Sequence, residues 1–117
     1  MAPELSLDGR TLVGVANDDA GEVGGETQFH FEQDGDRIRA QYSGGAVAEG
    51  YLVGTFDGSR WDVRYVQINE AGETSTDHSV GVVSRLEDGR VRVEDEWVWE
   101  SKPGAGESVL EEVPRGP

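Results

Sequence analysis

Arg90-Val91-Arg92-Val93-Glu94-Asp95-Glu96-Trp97-Val98-Trp99-Glu100 decides how the rest of the chain is read. With a period of two, Val91, Val93, Asp95, Trp97 and Trp99 fall on one face and the charged residues, with Val98, on the other. That alternation specifies a strand with one dry and one wet side. Two indoles give the dry side much of its bulk. Asp95 is the odd member, because an unpaired buried carboxylate is too costly to keep. It must have a buried partner or stand at the mouth of a cavity.

Seventeen glycines punctuate the 117 residues, and the longest glycine-free run, Arg90 to Pro103, is this strand-patterned one. No clear amphipathic helix is left elsewhere. Turn signals recur at Asp8-Gly9, Asp18-Asp19-Ala20-Gly21, Asp34-Gly35, Gly44-Gly45, Asp57-Gly58, Ala71-Gly72, Asp88-Gly89 and Pro103-Gly104. Such pairs supply the positive φ of tight hairpins. Eight strands are expected between them: Thr11–Asn17, Glu26–Gln33, Arg37–Ser43, Ala46–Phe56, Trp61–Asn69, Glu73–Ser84, Arg90–Ser101 and Glu107–Val113. Short turns make this an antiparallel meander. With no helix to cover a sheet, closure removes the exposed edges. The expected fold is all-β, an eight-stranded up-and-down barrel in one domain spanning 1–117, ordered over about 7–113. A two-sheet sandwich is the second architecture.

Inside faces follow from parity. Phe29 and Phe31 oppose His30; Ile38, Ala40 and Tyr42 oppose Arg37 and Arg39; Trp61, Val63, Tyr65, Gln67 and Asn69 share a face. Val66 and Ile68 lie on the opposite face and suit a homodimer contact. In the fourth strand Tyr51 and Val53 compete with Leu52 and Phe56 for the interior. In the sixth, Thr74, Thr76 and His78 share the parity of Val80 and Val82 and are assigned inward. Parity does not decide between Glu111 and Glu112.

Twenty-four acidic against ten basic residues leave a net charge of −14, which opposes nucleic-acid backbones and anionic membranes. Cysteine is absent, and no apolar run is long enough for a spanning helix. Met1, Ala2, Pro3, Glu4 and Leu5 lack a signal-peptide pattern, so a cytoplasmic protein is expected. Nucleotide loops, a Gly-x-Ser-x-Gly elbow and a metal-ligand set are missing, and no cofactor is expected.

An aromatic wall with a few convergent polar groups describes a small-molecule site. Tyr42, Tyr65, Gln67, Asn69, Thr76, Trp97, Trp99 and Phe29 are the candidate ligand-binding residues. The first functional reading is a barrel that holds an apolar or aromatic ligand in its lumen, oriented by Gln67, Asn69 and Asp95. The alternative is a cofactor-independent cyclase or isomerase in which Asp95, His78 or Tyr65 moves a proton, with a C-terminal glutamate as a further acid–base candidate. A filled barrel acting as an oligomeric scaffold is the third.

GETQFHF (25–31), QYSGG (41–45), GYLVGT (50–55), RYVQINEAGETSTDHS (64–79), DEWVWES (95–101) and GESVLEEV (106–113) resemble a family of small bacterial proteins often labelled N-acetylglutamate synthase. Acetyl transfer of the usual kind needs a helix-opening Gly-rich loop on an α/β fold. This chain offers neither, so that activity is not expected. The strand plan is similar to the calycins, lipocalin- and avidin-like barrels, which implies a small hydrophobic or heterocyclic ligand. Leu12-Val13-Gly14 stands where lipocalins carry Gly-x-Trp. Barrel cyclases of natural-product pathways offer a third likeness, at the level of fold only.

Overall fold

A computed structural model describes residues 5–17 and 21–114. The expected turn at Asp18-Asp19-Ala20, the first four residues and the tail after Pro114 lie outside the described residues. Eight antiparallel strands close in sequence order into a barrel, with β1 pairing both β2 and β8. They are β1 Thr11–Asn17, β2 Gln28–Asp34, β3 Arg37–Gly44, β4 Val47–Phe56, β5 Arg60–Asn69, β6 Thr74–Arg85, β7 Val91–Trp99 and β8 Ala105–Glu112. Strand number, order and closure agree with the sequence reading. Boundaries move by at most two residues, as where β8 starts at Ala105 instead of Glu107. Among the described residues no helix is long and apolar enough to cross a membrane.

The lumen is filled in layers. Phe29 lies 4.5 Å from Tyr42 with rings 24° apart, Tyr42 meets Tyr65 edge-on at 5.6 Å, and Phe31 lies 5.7 Å from Trp61. Two glycines make room for this column. A Cβ at Gly50 would stand 2.4 Å from the Tyr42 ring, and one at Gly54 would stand 2.1 Å from the Asp62 carbonyl oxygen. Their parity settles β4: Leu52 and Phe56 face in, while Tyr51 and Val53 face water. At the end where β1 begins, Leu7 is fully buried, and Leu7 N–H donates to Gln33 Oε1 at 2.9 Å. Arg10 closes that end by an ion pair with Glu112 at 2.7 Å. Glu112 is therefore the inward member of its pair and also accepts Val91 N–H. Glu111 turns outward to Arg92.

One face assignment is overturned. In β6 the buried residues are Ser75, Asp77, Ser79, Gly81 and Val83, whereas Thr74, Val80 and Val82 are exposed and Thr76 and His78 are half-buried on the outer wall. The cause is hairpin length. Asn69 N–H donates to Glu73 C=O, so three residues, Glu70, Ala71 and Gly72, form the loop, with Gly72 at φ 84°. Three-residue loops that end on a positive φ are a standard hairpin solution. This one pairs Tyr65 with Asp77 and Gln67 with Ser75. Because paired residues share a face, odd-numbered β6 residues turn inward with the odd-numbered residues of β5. A one-residue difference in loop length would invert the whole strand.

Candidate functional site

The two ends of the lumen differ in chemistry. The continuous apolar core runs from Leu7 and Leu12 through Phe31, Trp61 and Val93, and Trp97 and Trp99 stand apart from it. Those two indoles form an edge-to-face pair at 5.4 Å near the other end, where β1, β5 and β7 terminate. Alternation along β7 places both rings inside with Asp95, as its sequence required: all three are buried. The neighbouring strands bring polar side chains to the same level, Gln67 from β5, Asp77 and Ser79 from β6, and Ser108 from β8.

Asp95 is held by hydroxyls. Ser79 donates to its Oδ2 at 2.5 Å and Ser108 donates to Oδ1. Ser79 in turn accepts the Trp61 indole N–H at 3.0 Å. Gly81 sits across from Asp95 without a side chain, since a Cβ there would lie 2.7 Å from Trp61 Nε1. Burial pushes the Asp95 carboxyl upward, and the two serine hydroxyls offset part of that rise.

Asp77 has no such support. It lies opposite Tyr65 on one side and Trp99 on the other. Its Oδ1 is buried and has no hydrogen-bond partner among the described residues. Desolvation, with the charges of Asp95, Glu100 and Glu22 adding to it and Lys102 opposing, raises its pKa from 3.8 to about 7. Buried acceptors without donors are rare in native proteins and call for a specific reason. Burial and the nearby Asp95 and Asp77 also push the Tyr65 phenol well above its ordinary range.

Residues 21–23 lie across the mouth. Asn17 ties them down, donating from Nδ2 to Val23 C=O at 3.0 Å while its Oδ1 accepts the Trp97 indole N–H at 2.9 Å. Glu22 bridges from the other side: Gln67 Nε2 donates to Oε1 at 2.7 Å and Asn69 Nδ2 to Oε2 at 2.9 Å. Tyr42 completes the chain by donating to Gln67 Oε1 at 2.8 Å. Behind Glu22 a cleft bounded by Phe29, Tyr65, Gln67, Asp77, Trp97 and Trp99 leaves about 20 Å³ for the centre of a water molecule. That is room for about one water and no more.

The structure thus gathers Tyr65, Gln67, Trp97, Trp99, Phe29 and Asp95 around one cleft, with Tyr42 behind Gln67 and Asn69 on the rim. It separates His78 and Thr76 from them. His78 Nε2 lies 2.6 Å from Asp62 Oδ1 on the outer wall. Glu112 is at the opposite end of the lumen, so Asp95, His78 and a glutamate do not meet. Asn17, Glu22, Asp77, Ser79 and Ser108 are additions that strand parity alone missed. Among the described residues no group of three or more His, Asp or Glu is placed to hold a metal ion.

A family model described as "Avidin-like protein" matches residues 5–113. No curated protein and no solved structure matches the chain.

Proposed function

The chain belongs to the avidin-like protein family, and from that premise we propose that it binds a small, flat molecule at the mouth of the barrel, beneath residues 21–23. The reading rests chiefly on Asp77 Oδ1, an unpartnered acceptor facing the cleft between an indole and a phenol ring. A ligand that offers an N–H to that oxygen and a ring face to Trp97 and Trp99 would relieve the buried charge. The same ligand would cover aromatic surface. This favours a heterocycle with polar edges over a purely aliphatic guest. The narrowness of the cleft requires Glu22 and Val23 to move aside on binding. Their anchors are side-chain hydrogen bonds from Asn17, Gln67 and Asn69, which cost little to exchange for ligand or water.

A cyclase reading draws less support. A folded polyene needs a cavity of several hundred Å³, whereas the rings of Phe29, Phe31, Tyr42, Trp61 and Tyr65 pack on one another through that part of the lumen. His78, on the outer wall, has no access to a guest in the cleft. A homodimer remains a separate proposal. Tyr51, Val53 and Val66 are exposed on the adjoining strands β4 and β5, and an outer hollow of about 380 Å³ lies between them.

The test is a titration of intrinsic tryptophan fluorescence with a panel of small heterocycles, in the native chain and in Glu22→Ala. Saturable quenching, tighter in Glu22→Ala because the resident carboxylate no longer competes, is the expected result. Identical, non-saturating responses in both proteins would refute the proposal.

A further inference from the structure

The charges around the cleft are one-sided in a way that the binding reading alone does not use. Asp77 faces it from β6, Asp95 from β7 and Glu22 from the segment above, and Glu100, just beyond β7, adds its field to Asp77. The phenols of Tyr42 and Tyr65 are neutral. Among the described residues no arginine lines the cleft. Among the described residues the cation that acts on it is Lys102, whose Nζ lies 4.3 Å from the centre of the Trp99 ring and whose charge is felt at Asp77. An ammonium over an indole face, with carboxylates behind the ring, is the arrangement that binds organic cations. Here the chain's only lysine already stacks on the Trp99 ring, outside the residues that line the cleft.

Two independent observations therefore agree. Asp77 Oδ1, on a residue with 7% of its surface exposed, lacks a donor among the described residues. The indole next to it carries a resident ammonium. A neutral N–H ligand would satisfy the first and ignore the second. Taking the mouth of the barrel as the binding site proposed above, we infer that its ligand is cationic: an ammonium or amidinium borne on a small flat ring, its charge set between Asp77 and the Trp97–Trp99 pair. The net charge of −14 would draw such a ligand in from solution but cannot by itself discriminate between cations. Discrimination comes from the pairing of the charged nitrogen with Asp77 inside the cleft.

Benzamidine and benzamide, alike in shape and different in charge, test this by calorimetric titration at pH 8 with parallel tryptophan fluorescence. The inference expects benzamidine to bind at least tenfold more tightly, Asp77→Asn to bring the two within about threefold, and Lys102→Met to tighten benzamidine by removing the resident ammonium (a tenfold ratio is about 1.4 kcal/mol). Asp77→Asn removes a buried charge, so it should fold, and Lys102→Met gives an independent readout on an exposed side chain. Benzamide binding as tightly as benzamidine, with saturable quenching by both, would overturn the charge assignment and leave the small-molecule site standing. A benzamidine preference that persists in Asp77→Asn would also overturn it, because the preference would then belong to the surface field. Failure of both probes to bind either the native chain or Glu22→Ala would remove the site itself, and this inference with it.

Discussion

Replacing Asp77 by Asn should stabilise the protein, and the gain should appear only as pH rises. The native Asp77 keeps its proton in the folded state to about pH 7, against 3.8 for an ordinary side chain. Between those values the folded chain binds more protons than the unfolded one. Stability therefore falls as pH increases through that window and levels off above it. A shift of about three units corresponds to at most about 4 kcal/mol. Part of that reflects repulsion from Asp95, Glu100 and Glu22, which Asn also relieves. Asn adds a buried N–H₂ that must find an acceptor, a cost that does not depend on pH. Urea unfolding followed by tryptophan fluorescence, at intervals from about pH 4.5 to 8.5, isolates the effect, since other titrating groups largely cancel between the two proteins. The difference in unfolding free energy should grow by about 2–4 kcal/mol in favour of Asn across the window. A difference that stays flat with pH, or that moves the other way, would refute the placement of Asp77 as a buried, unsupported carboxylate.

Three further outcomes follow from the packing. Gly54→Ala should cost about 3 kcal/mol or more in chemical denaturation, because the new Cβ meets the Asp62 carbonyl at 2.1 Å and backbone cannot step aside as a side chain could; a loss below about 1 kcal/mol would mean that β4 and β5 are further apart than described. Glu112→Gln should cost about 3 kcal/mol, since Arg10 loses its buried counter-charge while Val91 N–H keeps an acceptor; an unchanged melting midpoint would show that pair to be solvated. If the outer face of β4 and β5 joins two copies, Val53→Lys with Val66→Lys should lower the mass measured by light scattering to that of one chain without moving the far-ultraviolet spectrum, and a native chain already monomeric at high concentration would dispose of the homodimer.

Much of the fold was legible because β-structure writes its faces at a period of two. The Val91–Trp99 alternation placed both indoles and Asp95 inside, and glycine pairs marked where the chain reverses. Periodicity fails where a strand carries small polar residues on both faces. In Glu73–Ser84 the valines at 80 and 82 suggested the inner face, but the inner valine is Val83, beyond a glycine that lies under Trp61. The three-residue loop at Glu70–Gly72 would have settled the matter, because it locks β6 to β5 odd against odd. Glu22 could not be found by any periodic signal. It lies in a loop whose position is set by Asn17, Gln67 and Asn69, each from a distant part of the chain. Nor does a sequence show how far the aromatic rings fill a lumen. That depends on Tyr42 stacking over Gly50 and on the rotamers of its neighbours.

The central claim is that small molecules enter beneath Glu22 and meet Trp97 and Trp99. The chain has three tryptophans, so an ¹⁵N-labelled sample gives three indole N–H signals that can be followed individually during titration with benzamidine. The Trp97 and Trp99 signals should shift in a saturable way while Trp61, hydrogen-bonded to Ser79 deeper in the barrel, moves much less. Three stationary indole signals, or shifts confined to backbone amides of the outer wall near Val53 and Val66, would contradict the claim.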